Sequence, residues 1–183
     1  MNFCSHCAHP VVLEVPPNDS LPRYVCSSCA RVHYENPKMV VGCIPLWQDN
    51  ILLCRRNIEP AMGLWTLPAE YLECGETAAA GAARETLEET AGVVANLQPY
   101  RLFEITHISQ IYLMFLAQLQ STAVRATDES MEVKFFQEQH IPWDSIAFPV
   151  IEQTLQGFFS DRVRHDFSFR ILRVTTRMKS PGQ

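Results

Sequence analysis

The chain has 183 residues, of which 47% are hydrophobic and 19% charged. That is enough for one core-bearing domain with a small appendage, and it is not the composition of a disordered chain. The 15 Lys and Arg against 20 Asp and Glu leave a formal net charge of -5, which argues against bulk nucleic-acid binding. No apolar run reaches the roughly 18 residues of a membrane span.

The N-terminus, Met1-Asn2-Phe3-Cys4, has neither a basic start nor an apolar core, so no secretory signal is expected. Seven cysteines are present. Free thiols without such a signal point to a reducing cytoplasm. Residues 1–36 form a separate block that holds Cys4-Ser5-His6-Cys7 and Cys26-Ser27-Ser28-Cys29. Two C-x-x-C knuckles at this separation signal a zinc ribbon, with four thiolates around a structural Zn²⁺. Two disulfides and a redox C-x-x-C are the alternatives, and His6 and His9 are possible substitute ligands. The block has few apolar residues, and zinc binding supplies the stability it lacks.

Asn36-Pro37 marks a linker, because the residue before proline avoids helix. Residues 39–46 read as a strand, 48–50 as a turn and 51–54 as a second strand, together a hairpin. Residues 63–67 form a short strand that stops at Pro68. Thr77 is the expected N-cap of a helix over residues 78–90, with Gly92 as its stop. Strands follow at residues 110–119 and 133–136, a loop at 142–148, an amphipathic helix at 150–159 and a last strand at 167–174. Mixed strands with two helices predict an α/β or α+β sandwich.

The helix carries the chemistry. Its Arg84-Glu85-Thr86-Leu87-Glu88-Glu89 run sets Glu85, Glu88 and Glu89 three and four residues apart, on one face. Like charges so placed cost a helix roughly 0.2–0.5 kcal/mol per pair, and clustered carboxylates are what hard divalent cations bind. A solvated helix face is the plain alternative.

Gly75-Glu76 followed by Arg84-Glu85-Thr86-Leu87-Glu88-Glu89 resembles a Nudix box, G-x5-E-x7-R-E-U-x-E-E-x-G-U, where U is bulky and apolar. The approach Gly63-Leu64-Trp65-Thr66-Leu67-Pro68 fits the same likeness, which covers about residues 37–160 and leaves 161–183 as a C-terminal tail. The ribbon narrows it towards the NADH, FAD and ADP-ribose pyrophosphatase groups. Residues 36–43 most resemble plant-type FAD pyrophosphohydrolases and their bacterial relatives, and the S-Q-P-W-P-F-P-x-S array of NADH pyrophosphatases is not seen. Two positions depart from the pattern: Glu70 replaces the first glycine and Ala91 the last. Glutamate at 70 is strained if its φ is positive. The Ala91 change lets the helix end one residue later.

The resemblance implies a Nudix-type α/β/α sandwich with a mixed sheet, and a Mg²⁺- or Mn²⁺-dependent hydrolase of a nucleoside diphosphate derivative such as FAD, ADP-ribose or NADH. It makes Glu85, Glu88, Glu89 and the Ala69 carbonyl the metal ligands, and Arg84 the residue that orients them. Glu76 supports the loop-to-helix junction or binds metal through water. It places the general base on an acidic loop, Glu129 ahead of Glu132. Arg55 and Arg56 are candidates for phosphate contact. Tyr71, Phe103 and Tyr112 are candidates for ring stacking or core, while His107 and His140 receive no role. The competing functions are removal of a nucleotide cap from RNA and a weakly catalytic nucleotide-sensing or protein-binding module. A homodimer is implied by analogy, with residues 167–174 at its interface.

Overall fold

The computed structural model describes residues 1–174, and these fall into two units, Met1–Pro37 and the chain from Lys38 onward. In the first unit β1 (Val11–Glu14), β2 (Arg23–Cys26) and β3 (Val32–His33) form an antiparallel sheet in that order. The two knuckles are the same turn made twice. Ala8 N–H donates to Cys4 O at 2.9 Å and Ala30 N–H to Cys26 O at 3.0 Å, with both alanines left-handed, φ 59° and 57°. The buried residues of this unit are Cys4, Pro16, Val25 and Cys26. So small a core cannot offset the entropy of ordering the segment.

The second unit is built on a sheet ordered β10-β5-β4-β9-β8-β11. Its strands are β4 (Lys38–Trp47), β5 (Asn50–Arg56), β6 (Trp65–Thr66), β7 (Ala69–Tyr71), β8 (Val94–Ile105), β9 (Gln110–Leu119), β10 (Ser130–Phe136) and β11 (Arg170–Arg173). β6 pairs with β5 and β7 with β4. The sheet is mixed, since β4/β9 and β8/β11 are parallel and the other pairs antiparallel. Helix α1 (Ala78–Thr90) packs on one face with Val41, Cys43, Leu52 and Phe115. Helix α2 (Pro149–Arg164) packs on the other with Ile44, Leu53, Phe103 and Met114. The alternation of Cys43 and Ile44 along β4 is the period of two that lets one strand serve both layers. The result is the expected α/β/α sandwich.

The sequence pattern gives no strand over β8, whose register shifts between Ala95 and Gln98 and again between Pro99 and Arg101. Bulges change which face a residue takes, so the alternation is lost there. The boundary expected at residue 160 falls inside α2, and β11 belongs to the main sheet. A charged core holds this end: Asp161, fully buried on α2, accepts from Tyr100 Oη at 2.7 Å, from Arg164 at 2.6 Å, from Arg170 at 2.9 Å and from the buried Arg101. No helix among the described residues is long and apolar enough to cross a membrane.

Candidate active site and zinc centre

Helix α1 starts as its sequence requires. Thr77 is extended (φ -80°, ψ 153°) and its hydroxyl accepts from Ala80 N–H at 3.2 Å. Its end corrects the expectation for Gly92. Ala91 itself takes the left-handed conformation, φ 53°, and its N–H closes on Leu87 O at 2.8 Å. Two glycines bring the surrounding chain close. A Cβ on Gly42 would lie 2.4 Å from Ala69 Cβ and 2.5 Å from Pro68 O, so β7 approaches β4 only because β4 has no side chain there. A Cβ on Gly81 would lie 2.7 Å from Glu76 Oε1 and 2.9 Å from Val41.

Arg84 is the hub of the acidic face. Its Nε donates to Glu76 Oε2 at 3.1 Å and its Nη2 to Glu76 Oε1 at 2.7 Å. Its Nη1 donates to Glu88 Oε2 at 2.9 Å and also to Glu85 Oε1. Glu76 Oε1 also accepts from Glu73 N–H at 2.8 Å, so this residue ties the loop to the helix. The Arg84 hydrogen bonds hold the Glu76 carboxyl below its ordinary range.

The three helix carboxylates differ in burial. Glu85 and Glu89 are 2% and 6% exposed, while the Glu88 side chain is half exposed. Burial pushes Glu85 up to about 7, against the pull of Arg84. Burial also pushes Glu89 up to about 7, opposed by hydrogen bonds from the Cys54 thiol and the Ala69 N–H. Among the described residues the group with ligand atoms all within 4.8 Å of one another is the four cysteines. The helix carboxylates are not so gathered, because Arg84 binds both Glu85 and Glu88 while Glu89 turns inward to Cys54. The donor set still suits a hard divalent cation. It offers carboxylate oxygens only, and two of them are desolvated charges that a bound cation would compensate.

Glu70 is not among the residues of positive φ, so it carries none of the strain considered from sequence. It sits in β7 opposite Val41 and adds a negative charge that helps raise Glu85. The Ala69 N–H donates to Glu89 Oε1 at 3.3 Å.

The two arginines at the end of β5 separate. Arg55 is committed to Gly63 O at 2.7 Å and to Glu132 at 3.6 Å. Arg56, 8% exposed, gives its Nε to Pro60 O at 2.8 Å, and its guanidinium lies 5.2 Å over the Phe148 ring. Its charge favours ionised Glu89, and no carboxylate pairs with it among the described ion pairs. Glu129 lies on an exposed loop, its carbonyl accepting from Asn57 N–H at 2.9 Å, and among the described residues no side-chain hydrogen bond or ion pair joins it to α1. Thr127 of the same loop donates its hydroxyl to Glu89 O at 3.3 Å, so the loop does adjoin the helix end.

A small apolar pocket of about 30 Å³, open to solvent, is lined by residues that include Ile105, His107, Ile108, Tyr112, Phe148 and Val150. Phe148 joins it to Arg56. The sequence marks Tyr112 as an aromatic candidate, gives His107 no role and does not single out Phe148 or Cys54 for a role. Phe103 is in the core, and Tyr71 is exposed with its hydroxyl accepting from Gln110 at 2.8 Å.

In the first unit the Cys7 Sγ is 3.4 Å from Cys26 Sγ and 3.5 Å from Cys29 Sγ, and Cys4 Sγ is 3.8 Å from Cys29 Sγ. All seven cysteines are free. The Cys29 N–H on Cys26 Sγ, at 3.4 Å, helps hold that thiol at about 6, near the thiolate form that zinc takes. His33 Nε2 lies 3.3 Å from Cys4 Sγ, whereas His9 turns to Cys7 O.

The "NUDIX domain" model matches residues 36–154, and the "Nudix N-terminal" zinc-ribbon model matches residues 2–35. The chain belongs to the Nudix family. A crystal structure of a Nudix hydrolase from Nitrosomonas europaea is similar over 95% of this chain and 99% of its own, at 44% identity and a TM-score of 0.91. A NAD-capped RNA hydrolase, NudC, of Vibrio vulnificus is 29% identical over 168 residues, 88% of this chain and 62% of that protein. An ADP-ribose pyrophosphatase of Methanocaldococcus jannaschii is 27% identical over 115 residues, 60% of this chain and 67% of that protein. The chain thus spans about three fifths of the length of the Vibrio relative. The Nudix match and the cysteine geometry support a divalent metal and a structural zinc.

Proposed function

We propose that this Nudix protein is a metal-dependent pyrophosphohydrolase that splits the diphosphate of a dinucleotide-type cofactor, ADP-ribose, NADH or FAD, into two monophosphates. The observation that carries the reading is the pair of desolvated carboxylates, Glu85 and Glu89, with the charge of Arg56, which has no carboxylate partner among the described ion pairs, acting on Glu89. The name of the Methanocaldococcus relative agrees with it.

Glu85, Glu88, Glu89 and the Ala69 carbonyl would hold Mg²⁺ or Mn²⁺, which when bound neutralises the diphosphate and lowers the pKa of a water. Arg84 keeps Glu85 and Glu88 aligned. Arg56 binds a non-bridging phosphate oxygen with its two Nη groups, a role that its contact with Phe148 stiffens. Arg55, tied to Gly63 and Glu132, is the weaker candidate. Glu129 takes the proton of the attacking water as the new P–O bond forms and the bridging P–O bond breaks. The half-exposed Tyr112 and Phe148 offer faces to a ring.

The assay is hydrolysis of a panel of ADP-ribose, NADH and FAD with Mg²⁺ or Mn²⁺, followed by chromatography of the monophosphate products. A second reading, removal of a NAD cap from RNA, is favoured by the Vibrio relative and opposed by the net charge of -5. Preference for a capped oligonucleotide over the free dinucleotide would establish it. We place the protein in the cytoplasm on its free thiols. Sedimentation velocity tests the homodimer, for which β11 offers an open outer edge.

A further inference from the structure

We infer that Cys54 is a positioning residue of this site, a buried thiol that fixes the orientation of the Glu89 carboxylate. The inference rests on the reading of Glu89 as a metal ligand. Cys54 is fully buried on β5, and its Sγ donates to Glu89 Oε2 at 2.9 Å. The other oxygen, Oε1, accepts from Ala69 N–H at 3.3 Å. One side-chain donor and one main-chain donor therefore set both the tilt and the rotation of this carboxylate. The two residues come from different elements, β5 and α1, and the contact is what joins them at this point.

A buried cysteine is ordinarily a small hydrophobe. Its partner here is a titratable carboxylate that is itself 6% exposed, and that is the wrong place for a mere filler. A second observation marks the same spot as polar. Ser130, 1% exposed on β10, lies close enough to act on the Cys54 thiol, and among the described residues its buried Oγ makes no hydrogen bond of ordinary geometry. Ser130, Cys54 and Glu89 thus form a small polar cluster contributed by β10, β5 and the helix. An apolar core would have filled these positions with valine or alanine. Groups that hydrogen-bond a metal-binding carboxylate from behind hold it ready, and their loss costs about 10–100-fold in metal affinity.

The test is Mn²⁺ binding to the full zinc-loaded chain, read by the electron paramagnetic resonance of free Mn²⁺, with melting temperature measured alongside. A thiol is a weak donor, so Cys54→Ala should weaken Mn²⁺ binding at the low end of that range, about tenfold. Cys54→Val fills the space without a donor and should give the same loss, which keeps the test open should the alanine variant fail to fold. Cys54→Ser restores a donor and should bind Mn²⁺ within about twofold of wild type, even though it loses sulfur packing and melts lower. Wild-type Mn²⁺ affinity in Cys54→Ala or Cys54→Val overturns the inference alone. Wild-type Mn²⁺ affinity in both Glu85→Gln and Glu89→Gln overturns the metal site itself, and the inference with it.

Discussion

Replacing Glu89 by glutamine should make the metal-free protein more stable, by a margin that grows as pH rises from about 4.5 to about 7. Burial brings Glu89 from its ordinary 4.5 to about 7. At roughly 1.4 kcal/mol per pH unit, the ionised side chain costs the fold about 3 kcal/mol. The folded state keeps this proton at a pH where the unfolded chain has already released it. Stability therefore falls as pH rises from about 4.5 to about 7, and is level above that. Glutamine is neutral throughout; its carbonyl oxygen can accept from the Ala69 N–H while its amide NH2 faces the Cys54 sulfur, a weak acceptor. At pH 8 without divalent metal, Glu89→Gln should exceed wild type by about 3 kcal/mol, or about 6–12 °C in melting temperature. Near pH 4.5 the two should melt together. Added Mg²⁺ should raise the wild-type melting temperature and leave the variant nearly unmoved, because the cation offsets the charge that the variant lacks. Calorimetry of zinc-loaded protein at both pH values makes the comparison. A variant that melts at or below wild type at pH 8 refutes the argument that burial of the Glu89 carboxylate outweighs its hydrogen bonds and the Arg56 charge. A gain of this kind is the usual signature of a residue kept for function at the expense of stability.

Arg56→Ala should raise KM for a diphosphate substrate by about 10–100-fold, the loss of a hydrogen bond to a charged group, while Mn²⁺ affinity stays near wild type. Arg55→Ala, whose side chain is tied to Gly63 and Glu132, should leave KM nearly unchanged; steady-state kinetics separates the two. Asp161→Ala strands Arg101 in the core without its partner and should cost about 3–5 kcal/mol, measured by urea unfolding. Zinc chelation should melt residues 1–37 while the second unit keeps its own transition, as zinc supplies on the order of 10 kcal/mol to such a small fold. Limited proteolysis should then cut within the first unit and spare the second.

The ribbon and the α1 helix were legible because their signals are local. The C-x-x-C spacing specifies a turn that closes on itself, and Thr77 with its alanine-rich sequel specifies a helix start. The hairpin of β4 and β5 was legible for the same reason. β8 was not, since two bulges break the alternation that marks a strand. Adjacent Arg55 and Arg56 look alike in sequence. Their environments differ because one reaches the Gly63 loop and the other the Phe148 ring, contacts made across many residues. The carboxylates were read as one converging trio, and their unequal burial emerged only from packing against β5 and β7. Nothing in the sequence marks Cys54, because its partner, Glu89, lies 35 residues away. Ala91 shows that a helix can stop on a left-handed alanine when the next contacts support it, although glycine stands one residue on.

The most direct measurement is product analysis of ADP-ribose, NADH and FAD incubated with the zinc-loaded protein, with and without Mg²⁺ or Mn²⁺, beside Glu88→Gln. The account predicts paired monophosphates that form only with divalent metal and fall by orders of magnitude in the variant. Folded, metal-supplied protein that leaves every diphosphate intact would contradict it, as would turnover indifferent to both metal and Glu88.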